Sequence, residues 1–286
     1  MERTIYIDGK LVPESQAKVS VFDHCLLYGD GVFEGIRVYH GNIFRLGEHI
    51  RRLYDSARAI ALAIPVSQEE MASIVEETCR ANEVREGYVR LIVTRGVGDL
   101  GLDPWKCKNP NVICIANAIT LYAEKFYEKG LELITSAVPR LPAECLNPQI
   151  KSCNYLNNTL AKIDAIHAGV VEAVMLNIHG FVAECSGDNI FLYRDGALKT
   201  PATSAGALKG ITRDVVIELA RGLEIPVEEP DITRYDLYTA EECFLTGTAA
   251  EIVPVIRIDG RTIGGGRPGP VTQKLRAAFQ ALVKGD

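Results

Sequence analysis

At 286 residues, with 47% hydrophobic and 24% charged side chains, the chain has apolar material for two sizeable cores and an ordinary soluble, globular composition. A formal charge of -6 with no basic run or stripe argues against a nucleic-acid partner. The N-terminal "MERTIYIDGKLVP" lacks the apolar core of a signal peptide and no apolar run could span a bilayer, so a cytoplasmic protein with no membrane partner is expected.

In chain order, "TIYIDGKLVP" places strand-like residues on either side of Asp8-Gly9, which predicts a hairpin, and "GIRVYHGNIFRL" repeats the pattern around His40-Gly41. The spacing of Ile50, Leu53, Ala57, Ile60 and Ala61 predicts a helix with one apolar face. A second helix is expected over Ser67 to Ala81, with Ser67 and Glu70 forming a capping box. Strands near Tyr88–Thr94 and Val112–Ala116 complete a small α/β domain over residues 1–120, and a connector is expected over 121–130. The larger domain, 131–286, should open on the strand "LELIT", pass through a proline-rich loop (Pro139, Pro142, Pro148) and enter the helix "LNNTLAKIDAIHAG". His179-Gly180, Asp195-Gly196 and Asp259-Gly260 mark turns in β-rich structure; "TRDVVIELARGL" and "VTQKLRAAFQALV" read as helices.

Eight cysteines, at 25, 79, 107, 114, 145, 153, 185 and 243, show no Cys-x-x-Cys spacing. The five histidines (24, 40, 49, 167, 179) form no ligand-spaced pair, so no metal site is expected. Reduced thiols follow as the default.

Four features of the second half could carry chemistry together. In "NPQIKSCNYLNNTLAKIDAI", Lys151 sits in an apolar approach, followed by Asn154, Tyr155, Asn157 and Asn158. A surface lysine is the ordinary reading of any single lysine, but that polar cluster suits a lysine pointing into a site. Gly210-Ile211-Thr212 lies where a helix begins, which is either an anion site made of free amides or an ordinary threonine cap. Thr246, Gly247, Thr248 and Ala249 leave an apolar strand as a second candidate anion nest or a plain strand-exit turn. Glu184, between apolar strand residues in "GFVAECSGDNIFLY", needs a partner if buried. In the first half, Gly29, Gly31 and Gly35 punctuate a segment whose Tyr28, Phe33 and Arg37 could line a pocket. Arg51 and Arg52 share an otherwise apolar helix, so one of them should face inward and need an anion. A lysine, two phosphate-ready turns and a carboxylate for a ring nitrogen are the parts of a pyridoxal-phosphate enzyme.

On "YGDGVFEGIR", "HIRRLYDSA", "YVRLIVTRG", "IKSCNYLNNTLAKIDA", "AECSGDNIF", "LKGITRD" and "TGTAAEIVPV", the chain resembles the class IV (fold-type IV) aminotransferases over nearly its whole length, and among them the branched-chain amino acid aminotransferases. The resemblance implies an α+β fold of a small N-terminal and a larger C-terminal domain, with pyridoxal 5′-phosphate held between them. It assigns Lys151 to carrying the cofactor, Glu184 to its ring nitrogen and Tyr155 to its 3-oxygen. Arg52, Gly210, Ile211, Thr212, Gly247 and Thr248 match the phosphate cup, with Leu208 beneath the ring. Tyr28, Phe33, Arg37 and Tyr88 match the substrate pocket, Arg90 the receiver of the distal carboxylate of glutamate, and the backbone of Thr248 and Ala249 the holder of the α-carboxylate. The activity implied is ping-pong transfer of the amino group of leucine, isoleucine or valine to 2-oxoglutarate, a step of branched-chain amino acid biosynthesis, in a homodimer or larger homo-oligomer.

"KSCNY" departs from the two-glycine form of many members and matches the short Lys-Ser form of D-amino acid aminotransferases. An (R)-selective amine transaminase shares the fold too. Against the D-reading, the loop "RGVGDLGLDPWK" has no histidine for an Arg-x-His carboxylate trap, and "FEGIR" and "YVR" favour the L-branched-chain type.

Overall fold

The computed structural model describes residues 2–118 and 122–285. Contacts divide the chain into two compact units, Met1–Ile119 with Ile150–Asn154, and Thr120–Gln149 with Tyr155–Asp286. The short segment around Lys151 thus groups with the first unit. Residues 119–121, the last of which opens the stretch read as a connector, lie outside the described residues, and Glu124–Lys129 within that stretch is helical.

The first unit opens on the hairpin of β1 (Thr4–Ile7) and β2 (Lys10–Pro13). Its turn residues Asp8 and Gly9 both have left-handed backbones (φ 52° and 76°), the turn that matches the twist of paired strands. Just ahead of the glycine-punctuated segment, His24–Tyr28 forms the short helix α1, started by the Asp23 side chain accepting from the Cys25 amide. Then come β3 (Gly31–Tyr39), β4 (Asn42–Ile43), α2 (Leu46–Ala59), α3 (Gln68–Ala81), β5 (Gly87–Thr94) and β6 (Asn111–Asn117). The α3 capping box forms as the sequence predicts, with Ser67 Oγ accepting from Glu70 N and Glu70 Oε2 from Ser67 N. One expectation fails: α2 stops before Ile60 and Ala61. Arg95 donates to the carbonyls of both, at 2.7 Å each, and Ala61 turns left-handed (φ 51°), so those carbonyls leave the helical ladder.

Among the described residues the strands of this unit form an antiparallel sheet in the order β2-β1-β6-β5-β3-β4. The two faces of the sheet divide the work of β3. Val32, Ile36 and Val38 join Val89, Leu91 and Val93 in the core under α2 and α3, with Leu53, Met71 and Val75. Phe33, Gly35 and Arg37 point the other way, and the register sets Gly35 against Arg90 and Arg37 against Tyr88.

The second unit contains α4 (Glu124–Lys129), β7 (Leu131–Thr135), α5 (Ala143–Leu146), α6 (Leu156–His167), β8 (Glu172–Leu176), β9 (Val182–Cys185), β10 (Asn189–Arg194) and β11 (Ala197–Lys199). It continues with α7 (Ile211–Gly222), β12 (Val227–Glu228), α8 (Arg234–Thr239), β13 (Glu242–Gly247), β14 (Glu251–Ile258), β15 (Arg261–Thr262) and α9 (Pro270–Lys284). The strands form a mixed sheet, β12-β11-β10-β13-β14-β7-β8-β9 with β15 on β14. Its core includes Leu131, Leu133, Ile190, Leu245 and Val253. Asp195-Gly196 and Asp259-Gly260 are left-handed at both positions, as at Asp8-Gly9; at His179-Gly180 only the glycine is (φ 83°). There the Asn177 side chain, accepting from the amides of His179 and Phe181, closes the turn instead.

Candidate active site

Each unit carries its own share of the residues that the sequence singles out. In the first, Lys151 is held by its backbone: its amide donates to Ser56 Oγ of α2 at 3.1 Å, and its carbonyl accepts from the Phe33 amide of β3 at 3.0 Å. Its Nζ lies 4.6 Å from the centre of the Phe33 ring. The Arg90 guanidinium also lies 4.6 Å from that ring, and Arg90 Nη2 is 3.3 Å from the Tyr88 hydroxyl. Phe33, Arg37, Tyr88 and Arg90 are brought together because alternate residues of paired strands share one face. Gly35 makes room among them: a Cβ there would lie 1.7 Å from Tyr88 Oη. Tyr28 stands at the end of α1, where its hydroxyl donates to the Leu100 carbonyl at 2.5 Å.

Of the two arginines on α2, Arg51 is exposed and Arg52 faces inward. The anion it meets is Glu34 of β3, fully buried, which accepts Arg52 Nε on one oxygen at 2.7 Å and Arg52 Nη2 on the other at 2.8 Å. His49 Nδ1 lies 2.7 Å from the second oxygen. Burial by itself would raise the Glu34 carboxyl; Arg52 and His49 outweigh it and hold the group down at about 2. Burial pushes the His49 imidazole down despite Glu34, so the ring is neutral and its Nδ1–H is the donor. Nothing in the sequence marked Glu34 or His49 as partners of Arg52.

In the second unit, Glu184 of β9 is 5% exposed. It finds the partner its burial demands in Arg140, whose Nη2 is 2.7 Å from Oε1. Its Oε2 accepts from the Leu208 amide at 2.9 Å and from Asn189 Nδ2 at 3.4 Å. Arg140 also donates to Asn158 Oδ1 at 2.8 Å and to the Gly206 carbonyl at 3.2 Å. The asparagines behind Lys151 therefore brace the chain: Asn154 donates to the Gly29 carbonyl, Asn157 to that of Pro139 and Asn158 to that of Ser186. Tyr155 is the N-cap residue of α6, where its carbonyl accepts from Thr159. Arg140 lies in a proline-rich stretch with no local pattern, and only the folded chain shows which arginine faces Glu184.

Helix α7 begins at Ile211 with Gly210 as its N-cap and no side-chain cap, so the reading of Thr212 as an ordinary cap does not hold. A Cβ on Gly210 would lie 2.0 Å from Asn189 Oδ1, and one on Gly247 2.1 Å from Asp188 Oδ1; both turns exclude larger residues. Thr246 Oγ1 is buried with no hydrogen-bond partner among the described residues. Within the second unit, an uncapped helix start, a backbone turn stripped of side chains and a buried salt-bridged carboxylate fit a phosphorylated pyridine cofactor.

Comparison with known proteins agrees. The amino-transferase class IV family model matches residues 31–258. A putative branched-chain-amino-acid aminotransferase of Methanocaldococcus jannaschii is 56% identical, covering 97% of this chain and 96% of that protein. The branched-chain-amino-acid aminotransferase of Pseudomonas aeruginosa is 40% identical, covering 98% and 93%. Among solved structures, the branched-chain aminotransferase of Thermobaculum terrenum in its pyridoxal-phosphate form superposes with a TM-score of 0.91 at 33% identity, covering 99% of this chain and 94% of that one. A branched-chain amino acid aminotransferase complexed with N-(5′-phosphopyridoxyl)-L-glutamate gives a TM-score of 0.94 at 40% identity, covering 100% and 95%. This chain belongs to the class IV aminotransferases, and within them to the branched-chain-amino-acid aminotransferases.

Proposed function

We infer that the chain catalyses reversible transfer of the amino group of branched-chain L-amino acids to 2-oxoglutarate with pyridoxal 5′-phosphate. The observation that carries this is the likeness, over nearly the full length, to enzymes of that activity, coupled to a buried glutamate salt-bridged to Arg140. When bound, the cofactor supplies an electron sink for the charge left as the substrate Cα loses its proton.

The chain's own residues do the rest. Glu184 would accept a hydrogen bond from the protonated ring nitrogen, with Arg140 keeping that carboxylate in place. The Ile211 and Thr212 amides, the Gly210 and Gly247 turns, Thr248 and Arg52 are the residues that would hold the phosphate, with Leu208 and Tyr155 those that would hold the ring. Lys151 would hold the cofactor through its Nζ, and that amine, when free, would serve as the base that moves the substrate Cα proton. Phe33 gives the aliphatic side chain an apolar wall, while Arg90, Tyr88 and Arg37 give polar ends for a second carboxylate. Tyr28 completes the pocket, and the backbone of Thr248 and Ala249 holds the α-carboxylate.

A homodimer or larger homo-oligomer is supported by an apolar surface on the first unit. Val21, Phe22, Leu26, Leu100, Leu102 (78% exposed) and Trp105 (75%) lie on two segments joined by Gly98 N to Phe22 O at 3.2 Å. All eight cysteines are free thiols and no helix among the described residues is long and apolar enough to cross a membrane, which suits the reducing cytoplasm.

The test is the visible absorption of cofactor-loaded protein before and after L-leucine, with D-alanine in parallel. Bleaching of the lysine-bound cofactor by L-leucine supports the reading, and a response to D-alanine alone would hand the chain to the D-specific enzymes. Lys151→Ala should lose both the band and transamination while keeping its circular dichroism; normal turnover in that variant would end the assignment.

A further inference from the structure

The placement of Arg52 is stricter than a helix contact requires. Glu34 interrupts the core face of β3, between Val32 and Ile36, and is fully buried. An apolar residue there would keep α2 on the sheet without desolvating a charge, since buried ion pairs often stabilise no more than well-packed apolar replacements. What a carboxylate adds is direction. Its two oxygens accept Nε and Nη2 of Arg52 at 2.7 and 2.8 Å, fixing the plane of the guanidinium, which a lysine or a single contact would leave free to rotate.

His49 stands behind that pair, 1% exposed, its Nδ1 2.7 Å from the Glu34 oxygen that also takes Arg52 Nη2. The imidazole thereby stops the carboxylate from swinging away from the fork. His49, Arg52 and Ser56 follow at helical spacing on α2, and Ser56 Oγ accepts the Lys151 amide at 3.1 Å. One helix face therefore sets both the guanidinium and the backbone of the lysine segment.

We propose that Glu34 and His49 are positioning residues that aim the Arg52 guanidinium at the phosphate of the cofactor. This rests on the reading of Arg52 as part of the phosphate cup. The phosphate contact is then a set of oriented hydrogen bonds more than a free positive charge, because Arg52 and Glu34 neutralise each other and His49 is uncharged.

The experiment compares the affinity of the apoprotein for pyridoxal 5′-phosphate with its affinity for pyridoxal, which lacks the phosphate, followed by fluorescence quenching. Wild-type protein should prefer the phosphorylated form strongly. Glu34→Gln places an amide N–H against the arginine fork and should cut that preference by about tenfold or more, leaving pyridoxal affinity unchanged, as expected for loss of charge-assisted hydrogen bonds. Should Glu34→Gln fail to fold, the His49 pair decides. His49→Leu removes the donor and should lower the preference several-fold, whereas His49→Asn, whose amide nitrogen takes the place of Nδ1, should keep it. A purely structural role for the triad would weaken both ligands together, so an unchanged ratio in Glu34→Gln or, failing that variant, in His49→Leu overturns the inference. Equal affinity of the wild-type protein for the two ligands would instead overturn the assignment of Arg52 to the phosphate.

Discussion

Glu184 and Arg140 show how a single buried charge dictates its surroundings. A carboxylate 5% exposed cannot stand without a cation or several donors, and Arg140 supplies the cation while Leu208 and Asn189 supply donors. Arg140→Met should therefore destabilise the protein by about 3–5 kcal/mol, the usual effect of leaving one member of a buried pair alone. Chemical denaturation of the apoprotein measures this directly. A loss below about 1 kcal/mol would mean that the Leu208 and Asn189 donors suffice for Glu184 by themselves. That a partner was needed is legible in the sequence, because a glutamate among apolar strand residues announces the problem. Which arginine answers it is not, since Arg140 lies 44 positions away in a loop with no local pattern.

At the scale of elements, local chemistry sets starts and turns more firmly than ends. The α3 capping box is written in Ser67 and Glu70 and forms as such. Ser67→Ala should cost about 1 kcal/mol, seen as a lowered thermal midpoint with the fold unchanged. A shift too small to resolve would show that packing of Met71 and Val75 alone holds the start of α3. The paired-strand turns at Asp8-Gly9, His40-Gly41, Asp195-Gly196 and Asp259-Gly260 are equally local, because two successive left-handed residues call for this chemistry. The end of α2 is different. Periodicity continues through Ile60 and Ala61, but the Arg95 side chain, some 35 residues away, captures their carbonyls and ends the helix early. The short helices α1, α5 and α8 are too brief for a 3.6-residue pattern to emerge in the sequence.

For the whole molecule, buried titrating groups pull stability in opposite directions with pH. Glu34 is depressed from 4.5 to about 2 and His49 below its ordinary 6.5, so the folded state binds fewer protons at both; their contribution is present above those ordinary values and is lost on acidification. Asp188, beside Tyr122 (2.8 Å), is raised from 3.8 to about 7 by burial and then by Glu172, so its contribution is full below 3.8 and is lost as pH rises through about 7. Asp188→Asn should flatten the fall in stability between 3.8 and about 7, measured as denaturation midpoints at several pH values. An unaltered slope would mean that Asp188 is not the group responsible. The same scale holds the assembly prediction. If the homo-oligomer proposed above forms through the exposed apolar surface of the first unit, Trp105→Glu, placing a charge there, should lower the sedimentation coefficient of the wild-type protein to that of a monomer; an oligomer that persists in the variant would move the interface elsewhere.

By itself the sequence determined the family, the cofactor class, the strand turns and the α3 cap, because each depends on residues close in the chain or on motifs that stand in a fixed order. It also marked Lys151, Arg52 and Glu184 as residues with unfinished chemistry. Only the tertiary structure decided what finishes it. Glu34 and His49 meet Arg52 because strand alternation turns Glu34 toward α2 and the helical repeat stacks His49 under Arg52. Phe33, Tyr88 and Arg90 share a face because the β3–β5 register sets it. Register and burial are properties of the paired, desolvated chain, so residues distant in sequence acquire partners only once it has folded.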